Sequence, residues 1–339
     1  MRKENGVYHK TFYCSDLANC SDGDRIFDIF LLSDLQYCSN DRGVKWLSIK
    51  LEDKSGEIKG KLWSDKIEME YEGYKNQIIY VSGKVTYYAG IPDLTIEKMK
   101  IAKIDEIVPT EVVKILSLDK SKTYKEQILC LMEKIQSKEI RNFTKNVINK
   151  DALEQMSYFP VRLLGHHNYC GGLLAHTCEV ATASYYYAKA TDGIRELRYD
   201  LDLVLAGALL HDMASLLYFK RDGYSFSVSS HRKLLGWSYI AHQMLWKAYE
   251  ECAKNDKEVI HDTTFGLLVH IIEASHGEKE PMNMEAMLVK RLNLLSAEHE
   301  TYDIGCNTRD MYQKESDFLW SKDLKREICK MRRDQTDGK

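Results

Sequence analysis

The sequence predicts a two-domain α+β protein, a small half built of strands followed by a larger half built of helices. Three observations predict it. A chain of 339 residues is long for one hydrophobic core. Apolar residues alternate at period two up to Ile104, and beyond Tyr124 they recur at three-to-four spacing. Histidines and one aspartate recur in a patterned order in the second half alone, at 166–177 and 211–212.

The bulk composition limits the class. With 44% hydrophobic and 29% charged residues and only 4 prolines, the chain reads as an ordinary globular protein. No apolar run approaches the roughly 20 residues that span a bilayer, so no membrane partner is expected. The start, Met1-Arg2-Lys3-Glu4-Asn5-Gly6, lacks the apolar stretch of a secretory signal. The 9 cysteines include no CxxC pair, which points to reduced thiols and a cytoplasmic protein. A net charge of -3 gives no global basic field. A nucleic-acid partner would need a local groove and stacking.

Each strand has its own signal. Phe27 to Leu32 is a β-prone apolar run, and Lys45 to Leu51 alternates as a half-buried strand does. Asp53-Lys54-Ser55-Gly56 makes a turn, and Glu57 to Trp63 returns as the hairpin partner. A short polar piece from Asp65 to Tyr74 is expected to be helical. Gln77 to Val85 and Leu94 to Met99 complete five strands. Five strands with a small helix between the third and fourth is the order of an OB-fold barrel.

The helical half follows Val108-Pro109-Thr110, which reads as a linker. Ile128, Leu131, Met132 and Ile135 form one apolar helix face. Leu201 to Leu210 is almost wholly apolar, and so predicts a central buried helix that delivers His211 and Asp212 at its C-terminal end. The stretch from Lys322 to Arg333 reads as a basic peripheral helix.

Imidazoles and a carboxylate from separate helices are what a divalent cation needs for a fixed, partly open shell. His176, His211 and Asp212 are the candidates, and a cation there would acidify water and polarise a phosphoryl oxygen. Gly171-Gly172 lets backbone approach closely just before the helix of His176. The second His-Asp pair, His261-Asp262, sits in a polar segment and reads as a helix start. His231, His242 and His299 read as ordinary surface or core residues.

The motifs HHxYxGGLLxHT at 166–177, LAGALLHD at 205–212 and SHGE at 275–278 resemble those of the YhaM family of 3′-5′ exoribonucleases, within the HD phosphohydrolase superfamily. The GVKWLSIKLEDKSGEIKGKLW and VSGKVTYYAG runs are similar to that family's barrel strands. The resemblance covers roughly residues 20 to 297, in order. It implies an OB-fold domain at 20–105, a linker at 106–123 and an all-α HD-type bundle at 124–300, beyond which the basic residues near the end predict a C-terminal helical, basic extension at 301–339. It implies metal-dependent hydrolysis of single-stranded RNA, or DNA, with Mn²⁺ as the expected cation. His176, His211, Asp212, His276 and Asn293 would form the metal shell, with His166, His167 and Asp212 in catalytic roles. The two preceding histidines would orient phosphate or move a proton.

Four positions depart from the family pattern. Met213-Ala214-Ser215 replaces a lysine-bearing run, Trp237 stands for a histidine, Ser275 for another, and Asn293 for the late aspartate. Asn293 offers a carbonyl oxygen without charge. Two alternatives therefore stay open: a catalytically inactive protein that binds single-stranded nucleic acid, and an HD phosphohydrolase acting on a nucleotide. In the barrel, Trp63, Lys61, Lys84, Tyr87 and Tyr88 are the candidates for base stacking and phosphate contact. Homo-oligomerisation is compatible with the sequence.

Overall fold

A computed structural model describes residues 1–4, 6–41, 43–67, 69–88, 90–163, 165–194, 196–254, 259–307, 318–321 and 324–329. The chain divides into two compact units: Met1–Ile115 with Arg221–Ser225 and Asn307 form the first, and Leu116–Lys220, Phe226–Cys306 and the described residues from 318 onward form the second.

The first unit is a closed barrel. It opens with a hairpin of β1 (Arg2–Glu4) and β2 (Val7–His9) and a 3₁₀ turn at Cys14–Asn19. The barrel strands are β3 (Arg25–Ser39), β4 (Lys45–Asp53), β5 (Gly56–Trp63), β6 (Ile78–Tyr88) and β7 (Ile91–Ile101). They close in the order β3-β4-β5-β7-β6, with β5 and β7 parallel and every other pair antiparallel. This is the strand order of an OB-fold. Inward residues such as Phe30, Leu47, Ile49, Leu62, Val81, Leu94 and Ile96 fill the interior. Around Ile29 and Leu31, β3 is covered on its outer face too, by Ile78, Ala102, Ile107 and Val112. That double burial is why Ile29 to Leu32 is a continuous apolar run rather than an alternation.

Two local expectations change in this unit. The stretch Asp65–Tyr74 holds two 3₁₀ turns, Ser64–Lys66 and Glu72–Tyr74, in place of one helix. Its only deeply buried side chain among the described residues is Tyr71, so no apolar face exists to hold a helix down. The first 19 residues belong to the barrel, because Cys14 and Leu17 sit in its core. They also bring Lys10, whose buried ammonium lies 3.2 Å from Asp53 and donates to the Ile29 carbonyl.

The second unit is a helical bundle. Its helices are α1 (Leu118–Glu133), α2 (Lys138–Val147), α3 (Lys150–Met156), α4 (Gly172–Ala190), α5 (Leu201–Leu210), α6 (Ser215–Tyr218), α7 (Ser230–Leu235), α8 (Trp237–Lys254), α9 (Asp262–Ser275) and α10 (Met284–Asn307). A small hairpin, β8 (Lys220–Asp222) and β9 (Ser225–Ser227), follows α6 in the chain, and its Arg221–Ser225 belongs to the first unit. Helix α1 starts within the expected linker, because the Ser117 side chain caps it by accepting from the Lys120 amide. Helix α5 is central: Leu203 to Leu210 are all buried, and α4 and α9 pack on it. At the far end, β10 (Phe318–Ser321) pairs with β11 (Arg326–Cys329). Arg326–Cys329 is therefore strand where a basic helix was expected, with Ile328 buried and its neighbours exposed in a strand's alternation. The rest of that expected helix, 322–323 and 330–333, lies outside the described residues.

Candidate functional site

In the barrel, the candidate residues fall on its outer face. Cross-strand register pairs Trp46 with Trp63, and Ser48 with Lys61. Lys61 also pairs with Thr95, and Thr95 with Lys84, so one row across β5, β7 and β6 carries both lysines. The Trp46 and Trp63 rings meet at 6.0 Å between centroids. Trp63 is 38% exposed and Tyr88, at the tip of the β6–β7 hairpin, is 80% exposed. Tyr87 is less free, since its hydroxyl donates to the Cys20 carbonyl at 2.8 Å. Both lysines already have acidic neighbours: Lys61 lies 2.9 Å from Asp93 and Lys84 3.8 Å from Glu97. Trp46 completes the aromatic pair, and the register is what sets it beside Trp63.

In the bundle, three elements deliver the histidines. Helix α4 begins at Gly171, whose φ of +87° is left-handed. A Cβ on Gly172 would lie 2.2 Å from the His167 carbonyl oxygen, so only glycine fits there. His167 itself takes a φ of +51°, an uncommon conformation for a non-glycine residue. This tight entry brings the His166 and His167 rings to 5.3 and 4.8 Å from the His176 ring. Helix α5 ends at His211 and Asp212, α9 ends at His276, and α10 supplies Asn293.

Four of these side chains converge. The His176 Nε2 lies 3.2 Å from the His211 Nε2, 3.3 Å from the Asp212 Oδ2 and 3.0 Å from the Asn293 Oδ1. The His211 Nε2 stands 3.1 Å from the same Asp212 oxygen. His176 and His211 are fully buried and Asp212 nearly so.

Hydrogen-bond direction determines what these atoms present. The His211 Nδ1 faces the Ala208 carbonyl at 2.7 Å, so it carries the ring proton. The Ser296 hydroxyl donates to Glu179 at 2.6 Å, and can only accept from the His176 Nδ1 at 2.9 Å. The Asn293 amide nitrogen donates to the Ser275 carbonyl at 3.0 Å, which turns its oxygen toward His176. In their neutral forms both histidines thus offer Nε2 lone pairs, beside a carboxylate oxygen and an amide oxygen. Four acceptors face one another with no donor between them. Ligands about 2.1 Å from a common cation stand about 3.0 Å apart at right angles and about 3.4 Å apart at the tetrahedral angle. The observed separations fall in that interval, and the donor set fits a divalent cation.

His276 is placed differently. Its Nε2 lies 3.0 Å from both the Asp212 Oδ1 and the His211 carbonyl, two acceptors, so it donates to them. It supports Asp212 rather than offering a lone pair. Trp237, the first residue of α8, lies against its ring at 3.7 Å between centroids. His166 and His167 approach each other at 3.3 Å between their Nδ1 atoms, at the edge of the cluster. His261 caps α9 by accepting from the Thr263 amide, and His242 faces Glu273 at 2.8 Å.

Burial and charge oppose each other in the cluster. Burial pushes Asp212 upward, but His211, His276 and His176 hold its carboxyl well below the usual range. Burial lowers the basicity of His211, and the Asp212 carboxylate outweighs it and raises the pKa. His176 is lowered, chiefly by burial. His166 is pushed down to about 3 by burial and then by the neighbouring His176 and Arg162.

Glu179 and Ser296 are site residues that sequence reasoning missed. Each stands three residues after a candidate ligand, Glu179 after His176 and Ser296 after Asn293, so helical spacing places them one turn away.

No family model matches the chain. Among solved structures, it is similar to a replication protein A heterotrimer bound to ssDNA, at 12% identity over 28% of this chain and 82% of the other, with a TM-score of 0.23. It is also similar to the second OB-fold domain of replication protein A from Methanococcus maripaludis, at 19% identity, covering 30% and 96%, with a TM-score of 0.19. Asparaginyl-tRNA synthetase from Pyrococcus horikoshii matches at 12% identity over 81% and 67%, with a TM-score of 0.23. The OB-fold assignment rests on the barrel's own strand order.

Proposed function

We propose that this chain is a metal-dependent phosphodiesterase of the HD type, a YhaM-like 3′-5′ exonuclease acting on single-stranded RNA. The observation that carries the reading is the set of acceptor atoms that His176, His211, Asp212 and Asn293 present when the histidines are neutral, with His176, His211 and Asp212 3.1 to 3.3 Å from one another and the Asn293 oxygen 3.0 Å from His176. A buried arrangement of lone pairs is costly unless a cation fills it. Mn²⁺ suits the mixed nitrogen and oxygen shell. When bound, a cation supplies a water of lowered pKa and an electrophile for a phosphoryl oxygen.

The chain's own residues supply the remainder. Asp212 is held ionised by His211 and by the donor His276 behind it. His166, neutral near pH 7, can accept a proton or a hydrogen bond at the edge of the cluster. On the barrel, the Trp46–Trp63 pair gives a base a stacking platform, and the Lys61–Thr95–Lys84 row runs alongside it for phosphates.

The test uses 3′-end-labelled single-stranded RNA with Mn²⁺, comparing the wild-type protein with Asp212→Ala. Mononucleotide release by the wild type and none by the variant is expected. Equal release by both, or none by either, overturns the reading. A DNA strand of the same sequence and a set of mononucleotides, run in parallel, define the substrate class.

A specific observation favours a second reading, a nucleic-acid-binding protein without catalysis. His276 is committed as a donor, Trp237 lies against its ring, and Asn293 brings no charge. Metal analysis of the purified protein separates the two, because a stoichiometric transition metal argues against a silent site.

A further inference from the structure

The two imidazoles at the centre of the cluster are held by different means. His211 donates its Nδ1–H to a backbone carbonyl, that of Ala208. His176 has no backbone partner of this kind. Its Nδ1 meets the Ser296 hydroxyl, which is 2% exposed and passes its own proton to the Glu179 carboxylate. Glu179 is 43% exposed, and its other oxygen lies 3.4 Å from the His299 Nδ1. A short relay therefore runs from a solvated carboxylate through one buried hydroxyl to a buried histidine.

We infer that Ser296 and Glu179 are positioning residues: they fix His176 as its Nδ1–H tautomer and lend the cation site the negative charge that Asn293 does not bring. The inference rests on the cation site proposed above.

The argument has two parts. The first is directional. A serine hydroxyl has one proton, and a carboxylate can only accept, so the proton of Ser296 is committed to Glu179. Ser296 must then accept from the His176 Nδ1, and the ring cannot place its proton on Nε2 without breaking that bond. The tautomer that directs a lone pair at Asp212, His211 and Asn293 is thus enforced from outside the cluster.

The second part is electrostatic. Within the ligand set, Asp212 is the only anion, and three imidazoles already face its two oxygens. An anion behind a hydrogen-bonded ligand raises that ligand's basicity. Glu179 does so for His176 through one intervening hydroxyl. The same two helices provide both layers, since α4 carries His176 and Glu179 and α10 carries Asn293 and Ser296.

The test measures cation affinity and ring tautomer, with Zn²⁺ as a diamagnetic probe. Zn²⁺ binding to the full chain is measured by competition with a chelator. The histidine ring nitrogens are assigned by long-range proton–nitrogen correlation in the Zn²⁺-free protein. Ser296→Ala is expected to weaken Zn²⁺ binding about 10- to 100-fold and to turn His176 into a mixture of tautomers. Ser296→Thr restores both, because it keeps the hydroxyl. Glu179→Gln keeps an acceptor but not the charge, so it weakens binding while leaving the tautomer in place. Thermal unfolding checks that Ser296→Ala folds, and Glu179→Gln, at a half-exposed position, gives an independent reading.

Wild-type binding that is unchanged within twofold in Ser296→Ala and Glu179→Gln, with His176 still protonated at Nδ1, overturns the inference and leaves the cation site standing. A wild-type protein that takes up no Zn²⁺ overturns the cation site itself, and the inference with it.

Discussion

Each unit of this protein buries a polar cluster, and the two clusters are built on opposite rules. In the barrel, donors meet acceptors. Asp28 accepts from the Thr11 amide, the Thr11 hydroxyl and the Phe12 and Ile29 amides, with the N-terminal ammonium 3.2 Å away. Asp53 accepts from the Cys14 and Ser55 amides and the Ser55 hydroxyl, and Lys10 sits beside it, over the Phe30 ring. In the bundle, His276 donates to one oxygen of Asp212, but at the other the Nε2 atoms of neutral His176 and His211 meet it as acceptors. A buried cluster that closes its own accounts is a structural device. One that leaves lone pairs facing each other is arranged for something that arrives.

The sharpest way to break this contrast is to remove the anion from the bundle cluster. Asp212→Ala should lower divalent-cation affinity by more than about 100-fold, beyond what loss of a supporting residue costs, as measured by equilibrium dialysis. Retained stoichiometric binding would make the bundle cluster as structural as the barrel's.

The mirror experiment is Lys10→Ala. Leaving Asp53 buried without its cation should destabilise the protein by about 3 to 5 kcal/mol, read from urea unfolding followed by a barrel tryptophan. Cation uptake by the bundle should be unchanged. Burial lowers the Lys10 pKa despite Asp53 and Asp28, so the folded state gives up that proton before the unfolded chain does. Its contribution to stability therefore rises with pH between the lowered value and the ordinary lysine range.

On the barrel's outer face, Trp63→Ala should weaken single-stranded oligonucleotide binding by about 1 to 3 kcal/mol, and Trp46→Ala by a similar amount. Fluorescence anisotropy measures both. A loss confined to Tyr88→Ala would move the contact to the hairpin tip.

The gentlest test is pH. The Asp212 carboxylate raises the pKa of His211, so at pH values below that pKa the cation-free protein holds a proton between the two. A cation must displace that proton, so apparent affinity should rise about tenfold per pH unit below that pKa and level off above it. The sign for stability is opposite. In cation-free protein the raised His211 pKa contributes stability below the ordinary histidine range, and this is lost as pH rises through the folded value. A pH-independent affinity would show that no proton is exchanged.

What the sequence disclosed follows its periodicities. The barrel strands were legible because alternation marks a half-buried strand, and α5 because the almost wholly apolar run from Leu203 to Leu210 ends in His211-Asp212. The N-terminal contribution was not, since Cys14 and Leu17 are isolated apolar residues in a polar stretch, without any period. The bonds from Ser296 to His176 and Glu179 join positions far apart in the chain, and no local pattern encodes them. His276 was legible as a residue near the site but not as a donor, because its role depends on which acceptors its ring meets. The helix expected between the third and fourth barrel strands failed for a plain reason: that stretch has polarity without an amphipathic face.

The unequal anchoring of His176 and His211 also bears on how such a site decays over evolutionary time. The Ala208 carbonyl belongs to the main chain, and no amino-acid replacement can delete it. The Ser296–Glu179 relay is held in two codons. Lineages losing selection for the chemistry would be expected to drift there early, while the His211-Asp212 pair still looks intact. A homologue's residues at 179 and 296 are therefore a more sensitive gauge of a working site than the signature dipeptide.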